Sequence, residues 1–215
     1  MIVYWILLLI TAFFAYNIGS ISTMRVASRF VFRRNLRKLG TGSKWISNFK
    51  RLFGYLGFAK LLLVEVVKDL LPILLGGLLL GLKGHADAGR AFAGFCLLLG
   101  RLYPVFNRFR GSHGSVALVV AILCVDASAG AAAAAVMLAV IWFSRYISLG
   151  VVAGAVIAVI TVILVVDSRL LMILCVLMAA LAVIRHLPAM VRLARGREEK
   201  LIFQDDITYK LDEKF

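Results

Sequence analysis

The chain has 215 residues, of which 62% are hydrophobic, and its formal net charge is +14 at pH 7. A soluble domain is usually close to half apolar, and apolar runs long enough to cross a bilayer recur here, so the composition predicts an integral membrane protein. The excess of positive charge is then typical of basic loops beside anionic lipid headgroups and does not indicate a nucleic-acid partner. The three cysteines are widely spaced inside apolar runs, which excludes a CxxC metal site and a disulfide framework and favours buried thiols.

The apolar runs predict an all-α protein with about seven transmembrane helices. In chain order they cover residues 2–24, 55–82, 91–105, 114–128, 130–143, 149–166 and 170–186. Several are short for a span of about 20 residues, so they are expected to tilt, to extend into their flanks or to be partly re-entrant. The first run has no basic segment before it and no cleavage site, which argues against a removable signal peptide. We expect one membrane domain over residues 1–200 and a short polar tail over 201–215.

The basic residues divide unevenly between the loops. Residues 25–54 hold nine, residues 101–113 hold three, position 145 holds one and the chain from 185 onward holds seven, whereas the alternate loops hold only Lys83, Arg90 and Arg169. Because basic loops stay in the cytoplasm, the pattern predicts an N-terminus outside the cell and a cytoplasmic C-terminus, which an odd number of spans allows. The polar clusters 33–54, 101–115, 144–148 and 185–200 then share the cytoplasmic face, either as parts of one site or as ordinary solvated loops.

Charged residues inside the second apolar run need an explanation. Glu65 and Lys68 lie three residues apart on one helical face, and Asp69 and Pro72 follow directly. Charges within a membrane are costly and usually face a partner or a site, so this stretch predicts either a functional site or a structural ion pair near a helix end. His186, at the end of the last apolar run, is by itself more typical of an interfacial residue.

Two glycine-rich basic segments have the composition of anion-binding turns. They are LRKLGTGSKWISNFKRLFG at 36–54 and RGSHGS at 110–115. Turns of this kind expose backbone N–H groups and hydroxyls, which bind phosphate oxygens. Neither segment has the spacing of a Walker A loop, and each in isolation is equally typical of a flexible basic loop.

The order and spacing of the polar segments resemble one known family. The blocks are NIGSIST (17–23), NLRKLGTGSKWISNFKRLFG (35–54), EVVKDLLP (65–72), GRLYPVFNRFRGSHGSVA (100–117), SRYISL (144–149) and RHLPAMVRLARGREE (185–199). In this order they resemble the bacterial acyl-phosphate:glycerol-3-phosphate acyltransferase family, membrane-integral enzymes of the first step of phospholipid synthesis. The third block corresponds to a family pattern DxxKGxxP. The resemblance covers nearly the whole chain, from Asn17 to Glu199.

The resemblance implies a reaction. An acyl group passes from acyl phosphate to a hydroxyl of glycerol 3-phosphate, giving lysophosphatidic acid and inorganic phosphate, without an enzyme nucleophile and with a substrate phosphate helping to take the hydroxyl proton. Such chemistry needs two phosphates held together and donors for the developing oxyanion. No cofactor, metal or nucleic acid is implied. The expected partners are the two substrates and membrane lipids, and the expected form is a monomer in the bacterial plasma membrane with its active site facing the cytoplasm.

The same resemblance implies the residues of the site. The catalytic residues would be Thr41, Asn48 and His186. Each residue expected to bind phosphate or substrate has a cationic side chain, a hydroxyl or an imidazole, or is a glycine that exposes its backbone. These are the groups that phosphate recognition requires. They are Arg37, Gly40, Gly42, Ser43, Arg51, Lys68, Arg101, Arg110, Gly111, Ser112, His113, Gly114, Arg145 and Ser148.

Six polar positions depart from the family pattern, namely Ser43, Trp45, Arg101, Ser112, His113 and Ala189. His113 replaces a lysine and is largely neutral near pH 7, so a permanent charge is lost, and Arg101, which replaces a histidine, is a candidate to restore it. The departures leave three interpretations open: an acyltransferase with the family's substrates, a paralogue with altered substrates, and a non-catalytic membrane protein that binds lipid phosphates and regulates or scaffolds. A small transporter is disfavoured by the ordered blocks and by the absence of two matching interrupted helices.

Overall fold

The computed structural model describes residues 2–33, 43–109, 111–198 and 200–201, with the backbone alone over 43–52. Every regular element in these ranges is helical, which confirms the predicted all-α class. The helices are α1 (Ile2–Ser20), α2 (Thr23–Phe30), α3 (Ser43–Gly81), α4 (Ala86–Leu102), α5 (Ser115–Val125), α6 (Ala127–Ser144), α7 (Ile147–Val165) and α8 (Arg169–Ala194), with a short 3-10 helix at Val105–Asn107.

Each predicted apolar segment corresponds to one long helix, and the differences lie at the ends. The segment 2–24 ends early because the chain turns after Ser20 and starts a separate helix at Thr23. The last segment continues beyond 186 to Ala194, since no glycine interrupts it before Gly196. The prediction of an open turn over 36–54 is wrong from Ser43 onward, because residues 43–53 are helical. Gly54, with φ 65°, separates the helical residues 43–53 from the rest of α3 in a conformation that glycine adopts readily.

Helix α2 occupies part of a region that the charge pattern predicted as a basic loop. It is amphipathic: Thr23 and Ala27 are buried, whereas Arg25 and Arg29 are exposed. Ala27 packs with Leu61 of α3 in a small apolar cluster. An eight-residue helix with one buried stripe and exposed arginines is typical of an interfacial helix that lies against the bundle and does not cross it.

Four helices in the described part of the chain are long and apolar enough to cross a membrane, namely α1, α6, α7 and α8. The other three long segments miss that criterion because Glu65, Lys68 and Asp69 interrupt the apolar part of α3, while α4 has 17 residues and α5 has 11. Large apolar side chains such as Trp5, Phe143 and Leu164 are exposed on the outside of the bundle. Charged side chains inside and apolar ones outside are the arrangement of a protein surrounded by lipid.

Helix α4 lies at the centre and packs against α1, α3, α5 and α8. Small residues allow close approach of the helices, as is usual in lipid. A Cβ at Gly100 would meet the backbone of Tyr16, so α1 and α4 are in direct backbone contact there. The Ser20 hydroxyl donates to the Gly100 carbonyl at 3.3 Å. This contact holds the ends of α1 and α4 together at the end of the bundle where the polar residues gather.

We expect Gly100→Ala to destabilise the protein by about 1–3 kcal/mol, because the added methyl group meets backbone atoms that cannot rotate away. Thermal unfolding in detergent, followed by circular dichroism, measures the effect. Gly81→Ala is the matched control, since a Cβ there lies 3.4 Å from the Ala86 side chain, an ordinary contact. Equal melting temperatures for the two variants would contradict the close packing of α1 and α4.

Candidate active site

A cavity of about 550 Å³ opens where the ends of six helices meet. The last residues of α1 and α4, the first residues of α2, α5 and α7, and the last turns of α8 surround it. One wall is apolar and comes from α3, with Phe58, Leu61 and Leu62, whereas the other walls carry most of the polar and charged side chains. A hollow of similar volume, about 530 Å³, lies on the outer side of α1 and α4, and no charged side chain lines it. The first cavity therefore has the chemistry of a polar substrate site and the second does not.

Three helix N-termini line this cavity. They are Thr23 of α2, Ser115 of α5 and Ile147 of α7. The residues that precede these helices make no side-chain capping hydrogen bond. The first turn of an α-helix leaves backbone N–H groups without intrahelical acceptors, and its dipole attracts negative charge. Three such ends around one cavity form an anion-binding surface built from the backbone.

The segment 111–114 packs over the end of α4 and forms one side of the cavity. The Ser112 amide donates to the Arg101 carbonyl at 3.2 Å, and the Arg185 guanidinium donates to the Gly111 carbonyl at 3.0 Å. A side chain at Gly111 would collide with the backbone of Arg101. Gly114, with φ 70°, leads into the first turn of α5. The glycines therefore bring the loop backbone close to α4 and aim the α5 N-terminus at the cavity.

Two buried polar side chains in the cavity wall have no hydrogen-bond partner among the described residues. They are Ser148, in the first turn of α7, and His186 of α8, whose exposed fractions are 4% and 2%. Buried polar groups are nearly always paired, so unpaired ones in a cavity wall indicate a ligand. The ring of His113 lies 4.9 Å from that of His186, centre to centre. The hydroxyl and both imidazoles therefore converge on the space next to the three helix N-termini.

His113 is exposed at the mouth of the cavity and has a depressed pKa. The surrounding protein removes part of its hydration, which lowers the pKa of the imidazole, and the positive charges of Arg185 and Arg192 lower it further, against a weaker opposite effect of Glu198. The pKa lies below the ordinary value near 6.5, so the imidazole is neutral at pH 7. A bound anion would raise the pKa of His113 again, because a negative charge favours the protonated ring.

Four charged side chains, called here the buried charge chain, form linked ion pairs between α3 and α4 at the base of the cavity. Arg101 pairs with Glu65 and lies 3.5 Å from Asp69, which in turn lies 3.1 Å from Lys68. Lys68 also donates to the carbonyls of Ile18 and Ile21 at 3.3 and 3.2 Å. Lys68 is therefore engaged at the end of α1 and does not line the cavity. The sequence predicted either a functional site or a structural ion pair for this stretch. The structure has features of both, since Glu65 lines the cavity and also belongs to the ion-pair network.

The chain after α8 folds back toward the cavity. Arg192 and Glu198, which both line the cavity, form an ion pair at 2.8 Å. The Leu201 amide donates to the Arg145 carbonyl at 2.7 Å, in the turn between α6 and α7. The Arg145 side chain is exposed and does not line the cavity. This segment thus connects the end of α8 to the start of α7 on the side of the site.

Of the nine predicted site residues whose placement the structure fully describes, seven lie in one region. Those that line the cavity are Arg101, Gly111, Ser112, His113, Gly114, Ser148 and His186. Lys68 lies below the cavity and Arg145 beside it. Residues Arg37, Gly40, Thr41, Gly42 and Arg110 lie outside the described residues, as do the side chains of Ser43, Asn48 and Arg51. The roles proposed for all of them stay predictions.

Sequence reasoning missed the turn between α1 and α2 as part of the site. Gly19–Arg25 lines the cavity along one side, and Arg192 and Glu198 line it on another. The available signal was the run of hydroxyls in NIGSIST directly after an apolar helix, which has the composition of an anion-binding turn. Arg192 and Glu198 belong to the polar cluster 185–200, but no local signal singled them out, because their pairing depends on how the chain turns back after α8.

Comparison with known proteins identifies the family. Residues 9–196 match the family described as glycerol-3-phosphate acyltransferase. This chain belongs to that family. The glycerol-3-phosphate acyltransferase of Thermoanaerobacter pseudethanolicus is 30% identical over 192 residues, which cover 89% of this chain and 94% of that protein. The enzyme of the same name from Thioalkalivibrio sulfidiphilus is 35% identical over 188 residues, covering 87% and 90%.

Solved structures support the fold. The chain superposes with a TM-score of 0.76 on a crystal structure of PlsY (YgiH), an integral membrane glycerol 3-phosphate acyltransferase, in its glycerol 3-phosphate form. That superposition covers 94% of this chain and 99% of the other, at 23% identity. The lysophosphatidic acid form of PlsY gives a TM-score of 0.74, also at 23% identity. The predicted family resemblance is therefore confirmed, and the membrane fold with it.

We expect His113→Lys to bind sulfate about three- to tenfold more tightly than the unmodified protein at pH 8, because the lysine is charged there while His113 is neutral. As the pH falls through the lowered pKa of His113, the imidazole gains its proton and the difference in sulfate affinity shrinks. Isothermal titration calorimetry of the detergent-solubilised protein measures both effects, and sulfate keeps its charge over this range. His113→Gln should lose the pH dependence of the sulfate affinity. Equal sulfate affinities for His113→Lys and the unmodified protein at pH 8 would contradict the assignment of His113 as a neutral residue of the anion site.

Proposed function

We propose that this protein transfers an acyl group from acyl phosphate to glycerol 3-phosphate, giving lysophosphatidic acid and inorganic phosphate. Family membership and the names of its curated relatives support the acceptor and the reaction type. The observation that carries the proposal is the convergence of three helix N-termini with the unpaired Ser148 and His186 in one cavity. That arrangement has donors for phosphate oxygens, and among the described residues Ser148 is not hydrogen-bonded to a base, which is consistent with direct transfer from a mixed anhydride.

The cavity walls suit the two parts of an acyl phosphate. The apolar wall from α3 would hold the acyl chain, since Leu62 is exposed between the cavity and the outside of the bundle. The helix N-termini would hold the phosphate next to it. The acceptor hydroxyl attacks the carbonyl carbon, the bond from that carbon to the phosphate oxygen breaks, and the leaving phosphate takes the hydroxyl proton. His186 and Ser148 would orient the acceptor and stabilise the developing oxyanion from the buried side.

The remaining predicted residues complete the proposal. Thr41 and Asn48 are proposed as catalytic groups, and Arg37 and Arg51 as bidentate phosphate ligands. Arg101, in the cavity wall, and Lys68, below it, are proposed to support the site through the contacts that they make at the turn between α1 and α2. A monomer with one site, without metal or cofactor, is sufficient for this chemistry.

The membrane arrangement is also a proposal. Seven of the helices cross the bilayer, with α2 at the interface, the N-terminus outside and the site at the cytoplasmic face of the bacterial plasma membrane. The charge distribution supports this, because the loops at the cavity end are the basic ones. Residues 1–200 form one domain, and the segment 201–215 is a polar extension.

Phosphate release from palmitoyl phosphate, with and without glycerol 3-phosphate, tests the proposed function. We expect release that depends on the acceptor, and a loss of about 100-fold or more in His186→Ala because the buried imidazole contacts substrate. His85→Ala is the matched control. His85 is exposed and contacts Tyr4 near the other end of α1, so it should keep full activity.

Two results would contradict the proposal. Release that is independent of glycerol 3-phosphate would indicate a hydrolase or another acceptor. No release above a control without protein, from a sample with a cooperative melting transition, would favour the non-catalytic or altered-substrate paralogue that the departures at His113 and Ala189 leave open.

A further inference from the structure

Thr23 is a buried cavity residue with an unused hydrogen-bond donor. It begins α2, lines the cavity and is 8% exposed. Its hydroxyl oxygen accepts a hydrogen bond of 2.9 Å from Nη1 of Arg101. A guanidinium has donors only, so the threonine hydroxyl must direct its own hydrogen elsewhere. No acceptor for that hydrogen is found in the described part of the chain.

Arg101 is held in place from two sides. Its guanidinium pairs with Glu65 and lies 3.5 Å from the Asp69 carboxylate, and only 5% of the side chain is exposed. Two acidic groups neutralise its charge, and they leave it little freedom to move toward a ligand. The contact to Thr23 spans 78 positions in the sequence and fixes the rotation of the hydroxyl about its C–O bond. Arg101 therefore orients a neutral donor at the N-terminus of α2.

The turn that carries Thr23 is held at its other end as well. Lys68 donates to the carbonyls of Ile18 and Ile21, immediately before α2. The two cations of the buried charge chain thus bind both ends of the turn between α1 and α2. This arrangement keeps the α2 N-terminus, with its free amides, and the Thr23 hydroxyl in a fixed position at the cavity wall.

We propose that Thr23 is a substrate-binding residue that donates a hydrogen bond to a phosphate oxygen, and that Arg101 is the positioning residue that orients it. The proposal deepens the proposed function and rests on it for the identity of the phosphate. That phosphate belongs either to the acyl donor or to glycerol 3-phosphate, since both present the same oxygens. Asp69 and Glu65 are the groups that hold Arg101, so the charge of Arg101 serves the site through Thr23.

Comparison with the family pattern gives a reason for the pairing of Arg101 with Asp69. Asp69 stands where the family pattern has a glycine, and Arg101 stands where it has a histidine. The two departures are neighbours in space, 3.5 Å apart, although they lie 32 positions apart in the sequence. A new buried positive charge therefore coincides with a new buried negative charge, which is the compensation that burial in a membrane requires.

Thr23→Val and Thr23→Ser form the matched pair that tests the proposal. Valine keeps the shape and removes the donor, whereas serine keeps the hydroxyl. We expect Thr23→Val to raise the dissociation constant of inorganic phosphate about tenfold, measured by calorimetry, while Thr23→Ser stays within about twofold of the unmodified protein. In the activity assay, KM should rise for one substrate with a smaller change in kcat. The substrate with the raised KM is the one that Thr23 contacts.

Arg101→Gln tests the positioning role. Arg101→Gln should raise the KM of the same substrate as Thr23→Val does. The double variant Thr23→Val/Arg101→Gln should have a KM close to that of Thr23→Val alone, because both changes remove the oriented Thr23 hydroxyl donor. The double variant Asp69→Gly/Arg101→His removes one charge of each sign and leaves Glu65 and Lys68 as the remaining opposite charges, so it is the second variant to measure if Arg101→Gln is poorly stable.

The outcomes separate this proposal from the proposed function. Unchanged phosphate affinity and unchanged KM values in a folded Thr23→Val protein would overturn the assignment of Thr23. Fully additive effects of Thr23→Val and Arg101→Gln would overturn the positioning role. If the unmodified protein releases no phosphate from palmitoyl phosphate, the proposed function fails, yet weaker binding of inorganic phosphate by Thr23→Val still supports the Thr23 site. No binding of phosphate by the unmodified protein would overturn both.

Discussion

The buried charge chain Glu65–Arg101–Asp69–Lys68 is the constraint on which the site depends. Taking four charged groups out of water is costly, and removal of one partner from such a pairing typically costs about 3–5 kcal/mol. The chain joins α3 to α4, and its cations reach the carbonyls that end α1 and the hydroxyl that begins α2. The position of the cavity wall between α1 and α2 therefore follows from electrostatic pairing inside the bundle.

In the proposed site, anion binding would rely on the backbone as much as on cations. Helices α2, α5 and α7 start at the cavity, and each start adds amide donors and a favourable dipole without adding a titratable charge. Close helix packing makes this possible, because Gly100 and Gly111 let neighbouring backbones approach without side chains between them. A site of this kind tolerates replacement of a lysine by His113, since the loss of one cation leaves the fixed dipoles in place.

Family membership and local divergence coexist because they depend on different contacts. The helices, their order and the small residues at their crossings preserve the fold at 23% identity to PlsY. Among the described residues, the departures at Arg101, Ser112, His113 and Ala189 line the cavity, where Arg101 pairs with Glu65 and Asp69 of α3. The charge of Arg101 is thus paired inside the bundle, which a pattern of residue types along the chain does not reveal.

Local pattern in the chain was enough to predict an all-α membrane protein, the approximate place of each long helix and the family, because hydropathy, periodicity and ordered blocks are properties of neighbouring residues. It also predicted His186, Ser148 and the loop 111–114, since these lie within the blocks. The helical start of α3 and the separate α2 were missed, because basic residues mask a short amphipathic period. The pairing of Arg101 with Asp69, the donor at Thr23 and the Arg192–Glu198 contact were decided only by the tertiary structure, because each depends on how separate segments of the chain approach one another.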